Sequence, residues 1–486
     1  MKNNLIKIYK FLLCGLPVAL FFSYYPVISL GTNSTMNFEL SIVLIWLVIF
    51  DVVAFIMMAQ QKKLSLVFSK WQWLLFPIFI TASAFWSLNF MRGILTSAIV
   101  WLIYIAVFAF FSLKDFVSDK KFKRIFWRVF FVSSLIVCVW CFLQCVLDLL
   151  DLPRECSLLC PGCVYEMFGF THPNGFAIEP QFMGNLLLAP VIISGWLIME
   201  NNCNNTFRGR VPRSRLHGAQ ALLLGSSLRN SLKILLPIAF FIFTATLFLT
   251  LSRGAIYAAI IALVLMTVMR IVQTKKWRAM LIWPVVILSF IFTLNMQGLM
   301  SEVSNTDETY MSGVSKVLNQ LSLGIIKIEK GNDNNAEDGG EKKSDEGKSK
   351  NTNKAVFDGY VEESTSTRMR LTKDAINVWK SDFMTMVFGV GLGGAGQALY
   401  DNGLSPAPKE IVQNEYASLL LEVGLVGVAL FVLTIILIIK LIIRSKNKAL
   451  YAALLVAYGI TLIFFSGVPN ALQIYLLPGL FFAIDE

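Results

Sequence analysis

The sequence predicts an all-α polytopic membrane protein with about 12 transmembrane helices and one large extracytoplasmic loop. Hydrophobic residues make up 56% of the 486 residues and charged residues only 15%, a balance too apolar for a soluble domain. Apolar runs of roughly 20 residues, enough to cross ~30 Å of hydrocarbon, recur through most of the chain. Clusters of turn-forming or charged residues separate these runs, as expected for a bundle of membrane-spanning helices.

The apolar runs divide the chain into three parts. Residues 1–300 contain the first nine predicted spans, residues 301–411 form the large loop, and residues 412–486 contain the last three spans. The predicted spans cover residues 11–30, 38–59, 71–90, 94–112, 126–148, 181–199, 234–252, 254–272, 280–299, 412–439, 449–466 and 470–484. The first span lacks a small-residue cleavage site, so we interpret it as a membrane helix and not as a cleavable signal peptide.

The net charge of +11 could also indicate a nucleic-acid partner, so the position of the charges decides between the two interpretations. With the N-terminus in the cytoplasm, most of the 42 Lys and Arg residues fall in segments on the cytoplasmic side. The cations of the large loop are mixed with acidic residues. This distribution follows the positive-inside rule, so the charge indicates topology, with both termini cytoplasmic, and no nucleic acid is expected to bind.

The large loop has two segments of contrasting composition. Residues 331–354 are almost devoid of apolar side chains and are predicted to be disordered. Residues 366–385 are predicted to be helical, because Thr367 can cap a helix in which Ala375 and Trp379 contribute to an apolar side. The glycine-rich sequence FGVGLGG follows and permits a tight backbone path.

The segment between the fifth and sixth spans contains Cys156, Cys160 and Cys163 on the predicted extracytoplasmic side. Their spacing resembles a metal or cluster motif, but an oxidising compartment favours a disulfide or free thiols. His172 lies in the same segment, and the other histidine, His217, lies in a predicted cytoplasmic loop without a partner. The sequence therefore predicts no metal site and no cofactor.

Three arginines oppose the positive-inside rule. Arg253 lies at the junction of two predicted spans, and Arg368 and Arg370 lie in the large loop. A guanidinium binds phosphate oxygens through forked hydrogen bonds, so these arginines are candidates for binding a diphosphate and stabilising it as a leaving group. The alternative is structural, because an arginine near a helix end can extend to the lipid headgroups.

These residues also resemble a known family. The order LTLSRGA after a span, TRMRLTKDAINVWKSDFMTMVFGVGLGG in the large loop and QNEYASLLLEVGLVG at the return to the membrane looks like the O-antigen ligase and O-antigen polymerase superfamily. The resemblance implies an all-helical (GT-C type) glycosyltransferase of the bacterial plasma (inner) membrane. It also implies a polyprenyl-diphosphate-linked oligosaccharide as donor, the lipid bilayer as environment, and a chain-length regulator and a flippase as further partners.

One departure from the family pattern concerns the reaction. In ligases that the chain resembles, a His-Asn type pair is followed by nine residues and then G-x-x-G. Here Asn414 precedes the glycines Gly424 and Gly427 at that spacing, but Gln413 occupies the histidine position. Since glutamine cannot accept a proton, this difference favours a polymerase over a ligase.

Two carboxylates are candidates for the general base. Glu179 lies in GFAIEPQFMG, which looks like a Glu-Pro stretch of some polymerases, and is positioned to act toward an acceptor hydroxyl. The alternative is that Glu179 only caps the following helix. Glu415 is a second candidate. Gln413, Asn414, Arg92 and His172 complete the site as predicted substrate-binding residues.

The leading functional hypothesis is a polymerase for O-antigen, capsule or exopolysaccharide that moves glycan from polyprenyl diphosphate to a lipid-linked repeat unit. A ligase that transfers finished glycan to a lipid or protein acceptor is the first alternative. The second is a transporter or lipid flippase, for which Asp51, within a predicted span, would be the proton-relay candidate. The sequence lacks the two similar halves common in transporters.

Overall fold

Helices dominate the chain, as the apolar runs predict. The computed structural model describes residues 2–22, 27–32, 37–64, 70–150, 152, 165–167, 170–177, 179–204, 229–304, 309–322, 352–408, 410–466 and 471–485. Within these ranges, the β-structure consists of two short antiparallel hairpins, β1–β2 and β3–β4. Cys156, Cys160 and Cys163 and most of the segment predicted to be disordered lie outside the described residues.

The helices and strands follow one another along the chain with short connections. The helices are α1 Lys2–Phe21, α2 Ile42–Gln60, α3 Leu75–Ala84, α4 Phe90–Ser112, α5 Lys120–Leu149, α6 Pro180–Asn204, α7 Arg229–Leu249, α8 Arg253–Thr274, α9 Trp283–Ser304, α10 Tyr310–Leu321, α11 Thr352–Trp379, α12 Phe383–Phe388, α13 Ala395–Asp401, α14 Glu415–Arg444, α15 Lys448–Thr461 and α16 Leu472–Asp485. The strands are β1 Val27–Thr32, β2 Asn37–Ser41, β3 Tyr165–Met167 and β4 Phe170–His172, and 3-10 turns cover Trp71–Trp73, Lys114–Phe116 and Trp277–Ile282.

Each predicted span overlaps a helix. Eight helical segments are long and apolar enough to cross a membrane. The other apolar helices, Trp71–Ala84, Leu235–Leu249, Lys448–Thr461 and Leu472–Asp485, are shorter. The all-α polytopic membrane class is therefore confirmed.

The first helix lies further toward the N-terminus than predicted. The span at 11–30 is wrong, because α1 covers Lys2–Phe21 and residues from Val27 form strand β1. Tyr9 is fully buried, with its ring 5.5 Å from that of Phe50, so the N-terminal turns belong to the packed bundle. Flexible lysine side chains near a helix end can reach the membrane surface and need not end the helix.

The helix predicted at 366–385 also has different bounds. Helix α11 begins at Thr352 and contains Thr367 in its interior, so Thr367 does not cap it. It ends at Trp379, because the Asp382 side chain accepts a hydrogen bond from the Thr385 N–H at 3.0 Å and starts α12 as an N-cap. The predicted helix is thus two helices joined by a turn.

Helix α6 forms the centre of the bundle. All of the apolar window in its candidate span Pro180–Glu200 is buried inside the protein. Gly184 allows close contact with α8, since a Cβ added there would lie 2.9 Å from both Ser252 and Ala255 side chains. Small residues at such crossings bring helix backbones together in membranes. The start of α6 and the start of α8 consequently lie side by side.

Helix α14 has a break at Gly424, where φ is +61° and ψ is −168°. Val390 and Gly391, in the glycine-rich segment, donate backbone hydrogen bonds of 2.9 Å to the carbonyls of Leu421 and Glu422. These donors satisfy carbonyls that the break removes from the helix, as a break at membrane depth requires. The segment after the break, 425–444, measures about 30 Å at 1.5 Å per residue, which is one complete crossing.

Substituting Gly424→Ala should strongly destabilise the protein. An added Cβ would lie 2.4 Å from the Val387 carbonyl oxygen, and this backbone conformation costs other residues about 1–3 kcal/mol even without a clash. We expect a lower midpoint of thermal unfolding for the purified protein in detergent. Gly403→Ala is the matched control, because its φ is +69° but nothing lies within 4 Å of the added Cβ. Equal effects of the two substitutions would contradict a tightly packed break.

Candidate functional site

Several predicted site residues meet at the turn between α15 and α16, formed by residues 462–466. The carbonyl of Phe464 accepts a hydrogen bond from Arg368 Nη1 at 3.1 Å. The carbonyl of Leu462 accepts from the Glu415 N–H at 2.9 Å, and the Ser466 hydroxyl donates to Glu415 Oε2 at 2.9 Å. The 462–466 turn therefore connects the large loop to the start of α14.

Arg368 is held on both sides of its guanidinium. Nη1 donates to the 462–466 turn, and Nη2 donates to Gln181 Oε1 in the first turn of α6 at 3.3 Å. Leu371 and Ala375 of the same helix are buried and pack in a cluster with residues of α13 and α14, which fixes the position of α11. The arginine is half-buried, so one part of the fork is fixed while another part faces the surroundings.

Arg253 reaches the same turn from α8. It is the first residue of that helix and is half-buried. Its neighbour Gly254 lies directly against Phe464, where an added Cβ would come within 3.0 Å of the Phe464 side chain. Phe464 thus contacts the start of α8 through its side chain and Arg368 through its carbonyl.

Glu179 lies where α6 begins. Its backbone carbonyl accepts hydrogen bonds from the N–H groups of Phe182 and Met183 at 3.1 and 3.3 Å, so its main chain starts the helix. Its side chain remains exposed. The pKa of the Glu179 carboxyl is raised, because nearby protein removes solvent from it, and the positive charge of Arg368 partly opposes this shift.

Glu415 is oriented by two hydroxyl groups. Besides the bond from Ser466, Oε1 accepts from the Tyr475 hydroxyl of α16 at 3.4 Å. Asn414 caps α14, since its side chain accepts from the Ala417 N–H at 3.1 Å. Gln413 is half-buried, and its Oε1 has no hydrogen-bond partner among the described residues.

Arg370, which the sequence grouped with Arg368, does not share its environment. It is exposed, and two positions along a helix separate side chains by about 200°. Arg368 and Arg370 therefore point to different sides of α11.

Arg92 and His172 also lie apart from the 462–466 turn. Arg92 is beside Glu422 and the glycine-rich segment, where a Cβ added to Gly393 would lie 3.0 Å from Arg92 Cγ. Glu422 is two turns further along α14 than Glu415, about 10 Å away. His172 is buried in strand β4, which packs against α5 and α9. The predicted set thus divides between the 462–466 turn and these two other locations.

Sequence reasoning missed Gln181, Phe464, Ser466 and Tyr475. Gln181 follows the Glu-Pro pair directly, so its position in the first turn of a predicted helix was a usable signal. The other three lie within apolar runs that are typical of membrane spans, and nothing in those runs marks the end of α15 at Thr461.

The comparison with known families agrees with this geometry. A family model described as O-antigen ligase matches residues 238–432, from within α7 to within α14. The match includes Arg253, Arg368 and Glu415 but ends before the 462–466 turn. Neither the curated proteins nor the solved structures gave a significant match. Through residues 238–432, the chain belongs to the O-antigen ligase and polymerase superfamily of membrane glycosyltransferase-like enzymes.

Proposed function

We propose that the protein is a polysaccharide polymerase of the bacterial plasma membrane. It transfers a glycan from a polyprenyl diphosphate carrier to a lipid-linked repeat unit on the extracytoplasmic face. The observation that carries this proposal is the meeting of Arg368 and the start of α8 at Phe464, with the carboxylates of Glu179 and Glu415 nearby. The family match supports glycan transfer in general.

Arg253 and Arg368 bind the diphosphate of the donor in this proposal. Arginine provides several N–H donors in a planar fork that matches phosphate oxygens, and its charge persists at every physiological pH. The hydrogen bonds of Arg368 to Phe464 and Gln181 fix the guanidinium before substrate arrives. Fixed charge stabilises the leaving group without reorganisation during the reaction.

The transfer step exchanges one glycosidic bond for another. The acceptor hydroxyl oxygen forms a bond to the anomeric carbon of the donor sugar, and the bond from that carbon to the diphosphate oxygen breaks. The electron pair of the broken bond leaves with the diphosphate, whose charge Arg253 and Arg368 stabilise. The hydroxyl proton passes to a carboxylate. That the arginines replace a metal ion remains a prediction.

Glu179 is the base that the contacts favour. Its side chain is exposed and lies near Arg368, so an acceptor hydroxyl can approach it beside the diphosphate. Glu415 already accepts hydrogen bonds from Ser466 and Tyr475, which suits a residue that orients the 462–466 turn and the acceptor.

Gln413 and Asn414 line the acceptor side in this proposal. The Gln413 Oε1 atom has no hydrogen-bond partner among the described residues, and a buried polar atom of this kind is a candidate to accept a hydrogen bond from a sugar hydroxyl. Asn414 uses its side-chain oxygen to cap α14, which leaves its amide nitrogen for the substrate. A flippase would supply the repeat units, and a chain-length regulator would limit the product.

A ligase is the second candidate, because the matched family model is described as O-antigen ligase. It would use the same arginines for the same donor but would transfer finished polymer to a lipid or protein acceptor. Gln413 in place of the ligase histidine favours the polymerase.

Arg368→Ala should lower glycan transfer by about 10²-fold or more, the usual effect of removing one donor to a developing negative charge. The measurement is the polymer ladder on a glycan gel of cells that express only the variant, at matched protein levels. Arg370→Ala is the matched control from the same helix and should leave a nearly normal ladder, since Arg370 lies on another side of α11. Equal loss in both variants would contradict the proposed site.

Arg253→Ala separates the two family reactions. A polymerase that loses diphosphate binding should leave single repeat units in place of the ladder. A ligase that loses it should leave long polymer on its lipid carrier, unattached to the final acceptor. An unchanged ladder at normal expression would contradict a catalytic role of Arg253 in either reaction.

The pH dependence tests Glu179. A general base must be ionised, and the raised pKa keeps Glu179 protonated to a higher pH than an ordinary glutamate. The transfer rate should therefore increase as pH rises through the raised pKa. Glu179→Gln should remove this rise and lower the rate by about 10²–10⁴-fold in proteoliposomes. Glu302→Gln, an exposed glutamate in α9, is the control. An unchanged pH profile in Glu179→Gln would exclude Glu179 as the base.

A further inference from the structure

An exposed apolar surface lies next to the break in α14, on elements that do not cross the membrane. We call it the apolar rim, and it consists of Phe85, Trp86, Leu88, Phe383, Met384 and Phe388. Phe85 and Phe383 are 71% and 69% exposed. Exposed apolar side chains are expected on the outer surfaces of spanning helices, but the rim belongs to the α3–α4 turn and to the six-residue helix α12.

The two parts of the apolar rim form one surface. The rings of Trp86 and Phe388 lie edge to face, 6.4 Å apart. The backbones are also connected, since the Leu88 N–H donates to the Val390 carbonyl at 3.2 Å and the Ser87 hydroxyl donates to the Leu392 carbonyl at 2.7 Å. The rim is therefore a rigid feature of the fold.

The level of the rim in the membrane follows from the lengths of two helices. One complete crossing of about 30 Å runs from the break at Gly424 to the end of α14, so the break lies at the hydrocarbon boundary. Helix α12 is at the same level, because Val387 is in direct contact with Gly424. The apolar helix Trp71–Ala84 extends only about 21 Å, so the α3–α4 turn does not rise above the hydrocarbon boundary either.

Helix α11 lies between two contacts at this boundary. Arg368 bonds to Gln181 in the first turn of the candidate span Pro180–Glu200. Trp379, at the end of α11, donates through Nε1 to the Met386 carbonyl of α12 at 3.0 Å. The C-terminal part of α11 therefore runs along the membrane surface. Its exposed cations, Arg370, Lys373 and Lys380, complement the negative surface charge of anionic lipids.

We propose that the apolar rim is a membrane-interface anchor whose partner is the phospholipid leaflet. Its aromatic and methionine side chains enter the boundary between headgroups and acyl chains, where amphipathic segments bind through buried apolar area and basic side chains. The rim continues into the lipid-exposed start of α4, because Phe90 and Met91 are also exposed. The anchor fixes the end of α11, and with it the helix that carries Arg368, against the lipid surface.

This inference concerns contact with lipid and does not depend on the glycan-transfer reaction. A second copy of the chain would be the other occupant of an exposed apolar surface. The leaflet is favoured because both parts of the rim lie at the level of the hydrocarbon boundary and continue into a candidate span.

The test is site-specific photocrosslinking in vesicles of phosphatidylethanolamine and phosphatidylglycerol. A benzophenone amino acid replaces Phe383, Phe85 or, as a control, the exposed Asp401 of α13, each in an otherwise unchanged full-length chain. After irradiation, mass spectrometry identifies what the probe has bonded to. We expect phospholipid adducts through the acyl chain at positions 383 and 85, with a mass shift when the acyl chains are deuterated, and little lipid adduct at position 401.

The two rim positions guard against one variant that fails to fold, and size-exclusion chromatography of each variant shows which ones are folded. A covalent dimer at positions 383 and 85 would identify a second copy of the chain as the occupant and overturn the proposal. Folded protein with no lipid adduct at these positions, or with equal adduct at position 401, would also overturn it.

Discussion

The site depends on the capping of one helix end. Helix α15 ends at Thr461, and the last carbonyls of a helix have no partner within it. Here the carbonyls of Leu462 and Phe464, just beyond α15, accept hydrogen bonds from the Glu415 main chain and the Arg368 side chain. A cation near a helix C-terminus is also electrostatically favourable. The same contacts that complete α15 thus bring α11 and α14 together, and Phe464 adds the start of α8.

A second constraint is the break in α14. A continuous helix from Glu415 to Arg444 would be 30 residues long, about 45 Å, and much longer than the hydrocarbon core. The break at Gly424 divides it into one complete crossing and a short segment on the side of the site. The glycine-rich segment satisfies the carbonyls that the break exposes, so the sequence pattern of the large loop and that of α14 depend on each other. Glu415 and the 462–466 turn consequently lie outside the crossing segment.

Much of the fold and part of the site could be predicted from the sequence. Span placement follows from apolar runs, and arginines or carboxylates at the ends of such runs are conspicuous, which is why Arg253, Arg368, Glu179 and Glu415 could be identified. The pairing of Arg370 with Arg368 failed, because adjacency in sequence was taken without the 3.6-residue period of a helix. The 462–466 turn could not be predicted, since its residues are as apolar as the spans around it.

The central claim is that Arg253 and Arg368 hold one diphosphate, and a double-mutant cycle tests it most directly. The measurement is the binding of farnesyl diphosphate, a short polyprenyl diphosphate, to purified wild-type protein, Arg253→Ala, Arg368→Ala and the double variant. Residues that share one ligand show coupling, so the loss in the double variant should differ from the sum of the single losses by more than about 0.5 kcal/mol. Additive losses within that margin, or binding unaffected by either substitution, would contradict the account.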